Sequence, residues 1–170
     1  WREALAAQEA GRIRTTEVRA SDYIEANSIF TFGLGKPLLA GRKGWSPAPL
    51  DVEHSWTSID DVAAMLTTVA TDERAWGRAW SVPTGPPLTV RELATRFTAA
   101  AGLGTPRLGR IPNPALRVLG LFSPMVKELR TTAYQFEKPF VLDASESTEV
   151  FGLKPRPIDD SLRQAVRSLA

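Results

Sequence analysis

Short runs of Val, Thr and Trp alternate along this chain with amphipathic segments that open on capping residues and close on glycine. That alternation of strand-like and helix-like pieces is the pattern of an α/β domain. Two helix starts are sharply marked. Ser58-Ile59-Asp60-Asp61 offers Ser58 as a cap with Asp61 at the third helical position, and Val62, Met65, Leu66 and Val69 follow at helical spacing. Thr89-Val90-Arg91-Glu92 is a capping box, in which the Thr and Glu side chains satisfy each other's backbone donors. Leu93, Phe97 and Ala100 give the second helix its buried stripe, and Gly102 ends it.

The remaining segments fit the same scheme. Residues 1–10 read as a helix stopped by Gly11, and residues 13–20 as a strand close behind it. Residues 21–41 read as a loop and an apolar stretch broken by Gly33, Gly35 and Pro37, and residues 45–50 as extended chain with two prolines. Strands are expected over 76–82 and 107–111, and helices over 114–122 and 125–136, split by Ser123-Pro124. Asp143 caps a short helix that Gly152 stops, and Asp159 or Asp160 opens a last one with Leu162, Val166 and Leu169 inward.

Composition narrows the class of function. The 170 residues are 43% hydrophobic and 24% charged, an ordinary globular mix with enough chain for a real core. Lys and Arg total 21 against 19 acids, spread without a polybasic run, so no nucleic-acid partner is expected. The chain has no cysteine, which excludes disulfides, thiolate nucleophiles and Cys-based zinc sites and agrees with a cytoplasmic location. No apolar run approaches the about 20 residues that span a bilayer, so no membrane partner is expected either. The sequence starts at Trp1, inside a helical pattern and without Met, which leads to the expectation of a longer polypeptide.

Three ordered stretches carry a family resemblance. Val18-Arg19-Ala20-Ser21-Asp22-Tyr23 resembles the segment after the sixth sheet strand of extended short-chain dehydrogenase/reductases. His54-Ser55-Trp56-Thr57-Ser58-Ile59-Asp60-Asp61-Val62 resembles their Arg-Asp-(aromatic)-Ile-His-Val-Asp-Asp-Val. Val150-Phe151-Gly152-Leu153-Lys154-Pro155, followed by Ile158, Leu162 and Val166, resembles their closing Leu-Gly-x-x-Pro and final helix, and residues 134–141 add a weaker match. The chain is thus similar to the C-terminal half of an NAD(P)-dependent epimerase/dehydratase.

The resemblance implies an incomplete Rossmann-type (doubly wound) α/β domain with a small α-rich substrate-binding domain. Residues 1–82 would be mainly the C-terminal part of the first, with excursions into the second, and residues 83–170 mainly the substrate-binding part. It implies NAD or NADP as cofactor in the complete protein, a small carbonyl or hydroxyl substrate, and the N-terminal half of the same polypeptide as partner. The catalytic Tyr and Lys would lie in that half, and a homodimer is compatible with the family. Ala20, Ser21, Asp22 and Tyr23 would then edge the cofactor, and His54 and Trp56 would face the substrate. The alternative of another class is a non-catalytic NAD(P)-sensing protein of the same fold.

Departures from the family pattern sharpen the substrate expectation. Ile24-Glu25-Ala26-Asn27 stands where Tyr-Gly-Pro-Gly is usual, and His54 stands where nucleotide-sugar enzymes often place a phosphate-gripping Arg. An imidazole is mostly neutral at pH 7 and cannot make the bidentate fork of Arg, which argues against a diphosphate unless Arg107 or Arg110 supplies charge.

Four tempting motifs are better read as structure. Gly33-Leu34-Gly35 lacks the third glycine of a dinucleotide loop, because Leu38 holds that place, and a loop hinge fits better. Tyr134 and Lys138 have the spacing of the family's catalytic pair, but Pro139 puts Lys138 at or past a helix end. Glu53, His54, Asp60 and Asp61 suggest a metal, yet Ser58 to Asp61 already form a helix start, so no metal is expected. His54 is the only histidine and no Gly-x-Ser-x-Gly elbow accompanies it, which speaks against a hydrolase triad.

Overall fold

The structure, a computed structural model, describes residues 1–25, 28, 30–131 and 133–169. Helix α1 (Arg2–Glu9) is followed by β1 (Glu17–Arg19) and β2 (Asp22–Tyr23). A π-helical turn (Thr31–Gly35) runs directly into α2 (Lys36–Leu39). Then come β3 (Gly44–Ser46), β4 (Glu53–His54), β5 (Trp56–Thr57), α3 (Ile59–Thr71), β6 (Ala79–Ser81), β7 (Leu88–Thr89) and α4 (Val90–Ala100). The chain continues through β8 (Leu108–Arg110), α5 (Asn113–Phe122), α6 (Pro124–Thr131), α7 (Ser145–Phe151) and α8 (Ile158–Leu169).

The strands join in pairs from distant parts of the sequence. β1–β6, β2–β5 and β3–β8 are parallel, and β4–β7 is antiparallel. Parallel neighbours need a crossover, and the helices supply it. The strands are shorter than the β-rich runs of sequence. The run expected over 13–20 pairs only from Glu17, because Gly77, at φ 74°, turns the opposing chain and donates its amide to the Thr15 carbonyl at 2.7 Å.

Helix starts follow the capping chemistry. The Thr89 Oγ1 accepts from the Glu92 amide at 3.1 Å, and Glu92 Oε2 accepts from the Thr89 amide at 2.8 Å, which completes the box. Ser58 Oγ accepts from the Asp60 amide at 3.3 Å, while Asp61 turns away and accepts from the Arg156 amide through both oxygens at 3.1 Å. Asp143 takes the Ser145 amide at 2.9 Å, and Gly152 closes α7 at φ 68°, in the left-handed region.

Two apolar clusters form the core. Phe97, Leu93 and Ala94 of α4 pack with Leu162 and Ala165 of α8, and with Ile24, Phe30, Leu34 and Leu38. Met65 and Val69 of α3 pack with Trp80 and Val82, flanked by Val18, Ala20 and Phe151. The Trp80 indole meets the Phe151 ring edge-on at 4.7 Å and donates to the Ala75 carbonyl at 2.9 Å, so its polar edge is satisfied inside.

Two local expectations change. The 33–35 stretch is a helical turn rather than a hinge. A side chain on Gly33 would lie 2.9 Å from the Trp45 carbonyl, and Gly35 faces Phe97 and Leu169. The helix expected over 125–136 ends at Thr131, and Ala133–Gln135 is a 3-10 turn. Lys138 lies beyond it, so Tyr134 and Lys138 share no helix face. Of the segment replacing Tyr-Gly-Pro-Gly, Ile24 and Glu25 are buried, whereas Ala26 and Asn27 lie outside the described residues.

Candidate functional site

The site grows from the end of β1, where the chain steps through Ala20 and Ser21 into β2. The Ser21 amide donates to Thr57 Oγ1 at 2.9 Å, and Ser21 Oγ donates to the Ser55 carbonyl at 2.7 Å. These bonds, with the Asp22–Trp56 register of β2 and β5, fix the turn against the 54–57 segment. Ser55 extends the network: its amide donates to the Phe140 carbonyl at 2.8 Å, and its Oγ accepts from the Leu142 amide at 2.9 Å. Ser55 and Thr57 are both about 1% exposed, so the polar face of this segment is a buried joint rather than a solvent edge. Alternation then sends His54 and Trp56 to the other side.

On that side lies a cavity of about 340 Å³, within the range of small-molecule sites. Ser21, Asp22 and Tyr23 line it from one side, and His54 and Trp56 from another. Phe30, Trp45 and Phe136 add aromatic wall. Ala20 is not in this lining; it packs against the cluster around Trp80. The Trp56 indole donates to the Leu88 carbonyl at 2.9 Å, which spends its one polar group and leaves the ring as apolar surface.

His54 is 3% exposed, stacked on Phe136 at 5.5 Å between ring centres and tilted against Phe140 at 6.3 Å. Its Nδ1 lies 3.4 Å from Asp22 Oδ2, and neither ring nitrogen has a hydrogen-bond partner. Burial pushes the Asp22 carboxyl above the usual carboxylate range, and the nearby imidazole pulls the other way.

Beside the cavity, Glu25 reaches the start of α3. Its Oε1 accepts from Ser58 Oγ at 2.7 Å and from the Ile59 amide at 3.2 Å, whereas its buried Oε2 has no partner. A carboxylate at a helix N-terminus is stabilised by the exposed amides. Nothing in the linear sequence pairs Glu25 with a helix that begins 34 residues later.

Several of the basic and acidic candidates have other partners. Arg107 donates to the Gly41 carbonyl at 3.0 Å, and Arg110 lies 4.0 Å from Glu137. Asp60 pairs with the Arg156 guanidinium. Among the described residues no group of three or more His, Asp or Glu is placed to hold a metal. Phe30 and Phe136 were not legible as site residues, since an aromatic in a strand or helix pattern reads as core.

No family model and no curated protein matches the sequence. Solved structures match the fold. The dTDP-glucose 4,6-dehydratase of Bacillus anthracis, in complex with NAD, superposes with a TM-score of 0.70 at 13% identity, over 98% of this chain and 47% of that one. The UDP-glucose 4-epimerase of Thermotoga maritima, with UDP-glucose, gives 0.69 at 15% identity, over 95% and 47%. The L-threonine 3-dehydrogenase of Trypanosoma brucei gives 0.70 at 15% identity, over 98% and 49%. The chain therefore has the Rossmann-like α/β fold of these enzymes and spans about half their length.

Proposed function

We propose that this chain forms the substrate cleft and one side of the nicotinamide pocket of an NAD(P)-dependent epimerase, dehydratase or reductase acting on a small carbonyl or hydroxyl compound. The observation that carries it is the single cavity wall made by Ser21, Asp22 and Tyr23 beyond the carboxyl end of a parallel strand, together with His54 and Trp56. Ligands of open α/β sheets bind at that end of the strands.

The lining fits a nicotinamide ring: it is mostly aromatic and apolar, and Asp22 offers a carboxylate to the positively charged oxidised ring. When bound, that cofactor accepts or supplies a hydride. Within this chain, Ser21 to Tyr23 edge the cofactor, Ala20 anchors that edge in the core around Trp80, Ser21 holds it rigid through Ser55 and Thr57, and His54 and Trp56 bound the substrate. In this reading the polypeptide also includes the half of the fold bearing the pyrophosphate turn and the catalytic Tyr and Lys, and it works without membrane or nucleic acid.

The substrate proposed is not a nucleotide-diphosphate sugar. Asp22 and His54 stand in the cavity wall, Arg107 donates to the Gly41 carbonyl, and Arg110 lies 4.0 Å from Glu137. L-threonine 3-dehydrogenase, of the same fold, is named for a substrate without a nucleotide. The test is nicotinamide absorbance of the complete polypeptide with a panel of small alcohols and ketones beside UDP- and dTDP-sugars. Turnover of a small alcohol or ketone is expected. Cofactor binding without turnover of any compound would favour a sensor, and turnover of nucleotide sugars alone would overturn the substrate class.

A further inference from the structure

The cavity opens beyond the carboxyl end of β1. Beyond its amino end lies a second, open pocket of about 490 Å³, lined by Gln8, Gly11, Arg12, Ile13, Arg14 and Trp76. Local bonds fix its scaffold. Gly11, at φ 68°, turns the chain out of α1, and the Gly11 and Arg12 amides donate to the Gln8 and Ala7 carbonyls at 2.8 and 3.0 Å. The negative end of that helix is thus partly neutralised beside the pocket. Gln8 Oε1 accepts from the Thr15 amide at 2.8 Å, and the Thr15 carbonyl accepts from the Gly77 amide at 2.7 Å. Residues 11–15 are therefore pinned between α1 and the turn that follows Trp76.

The two guanidinium groups of this pocket lack what their neighbours have. Arg19, Arg74 and Arg78, on the adjoining segments, each hold a carboxylate, that of Glu17, Asp72 and Glu146. Among the described residues no acid pairs with Arg12 or Arg14, and no acceptor takes their side-chain donors. Arg14 is nonetheless held in place. Its guanidinium carbon lies 4.2 Å from the centre of the Trp76 ring, and that ring packs against the core cluster around Trp80. An arginine over an aromatic ring keeps its fork of N–H donors, and part of its side-chain freedom is already lost before a ligand arrives.

We propose that this pocket binds a phosphate monoester, whose phosphate group accepts from the guanidinium donors of Arg12 and Arg14 while a small organic body lies along Ile13. Two permanent positive charges match a dianion better than the single charge of a carboxylate, and the planar fork meets phosphate oxygens in pairs. Ile13, 47% exposed at the pocket rim, supplies the apolar flank. The assignment does not depend on what the cavity binds.

The experiment is proton–nitrogen NMR of the full chain, read at the arginine Nε and tryptophan indole signals, at matched ionic strength. The signals of the pocket are those lost in Arg12→Gln, Arg14→Gln and Trp76→Phe. The probes are phenyl phosphate, inorganic phosphate, benzoate and phenol. Phenyl phosphate should move the Arg12, Arg14 and Trp76 signals together and saturate below about ten millimolar, with inorganic phosphate weaker at the same signals. Both arginines are exposed, so Arg12→Gln and Arg14→Gln should fold as wild type, and each should weaken phenyl phosphate by about ten-fold, the loss of one charge-assisted contact. Benzoate binding as tightly as phenyl phosphate overturns the phosphate assignment, and inorganic phosphate doing so overturns the ester. Phenol moving the same signals as strongly overturns the role of charge. Shifts that do not saturate, or that appear equally at the exposed Arg2 and Arg167, mark diffuse attraction to a basic surface and overturn the site.

Discussion

At the scale of single residues, carboxylates divide by environment. Glu92, Asp51 and Asp72 are held below the usual carboxylate range by hydrogen bonds from Thr89, Arg91 and Arg74. Asp61 is pushed up, first by burial and then by the Glu25 charge, against the pull of the Arg156 amide. A raised folded-state pKa means that the folded protein holds its proton longer than the unfolded chain. The Asp61 charge is therefore unfavourable to folding above the ordinary carboxylate range, and stability falls as pH rises through it. Denaturant midpoints of wild type and Asp61→Asn across pH should shift in favour of the variant as pH rises. A pH-independent difference would mean that Asp61 titrates normally. Tyr134 is 68% exposed in a 3-10 turn, with Lys138 off that turn. If the complete polypeptide has the proposed activity, Tyr134→Phe and Lys138→Ala should leave its single-turnover rate nearly unchanged, whereas a fall of about a hundredfold in either would mark the pair as catalytic.

At the scale of elements, two features are exposed to simple substitutions. The α4 start is a reciprocal box, so Thr89→Ala should cost about 1 kcal/mol in chemical denaturation. An unchanged midpoint would mean the box contributes nothing. The π-helical turn before α2 is a packing device, because Gly33 lets the helix approach the Trp45 backbone. Alanine normally gains helix stability over glycine by roughly 0.5–1 kcal/mol. Here an added Cβ would sit 2.9 Å from a carbonyl oxygen, so Gly33→Ala should destabilise, while Gly85→Ala, with nothing within 4 Å, should be neutral or better. A Gly33→Ala protein as stable as wild type would show that β3 yields easily.

At the scale of the whole molecule, the chain spans about half the length of the enzymes it superposes on. Its glycine-rich stretch, 33–35, lies within a helix and not in a pyrophosphate-binding turn. Calorimetry should find that these 170 residues bind NAD or NADP more weakly than about −8 kcal/mol, the micromolar level. Submicromolar binding would show that the cofactor needs no other segment. The sequence by itself determined the pieces whose cause is local. The α3 and α4 starts follow from Ser58, Thr89 and Glu92, the α7 stop from Gly152, and the opposed faces of 54–57 from alternation; a hydrogen bond or period within a few residues fixes each. The order of weak motifs over residues 18–23, 54–62 and 150–155 was enough to indicate the α/β fold. Tertiary structure alone decided what depends on distant partners. It trimmed the strands to the residues that find a parallel neighbour, turned the 33–35 glycines from a hinge into a helix contact, and set Glu25 on a helix 34 residues away. It also brought Asp22 against His54 and closed a cavity with Phe30, Trp45 and Phe136. Those contacts arise between residues far apart in the chain, where periodicity and capping carry no information and packing alone selects the partner.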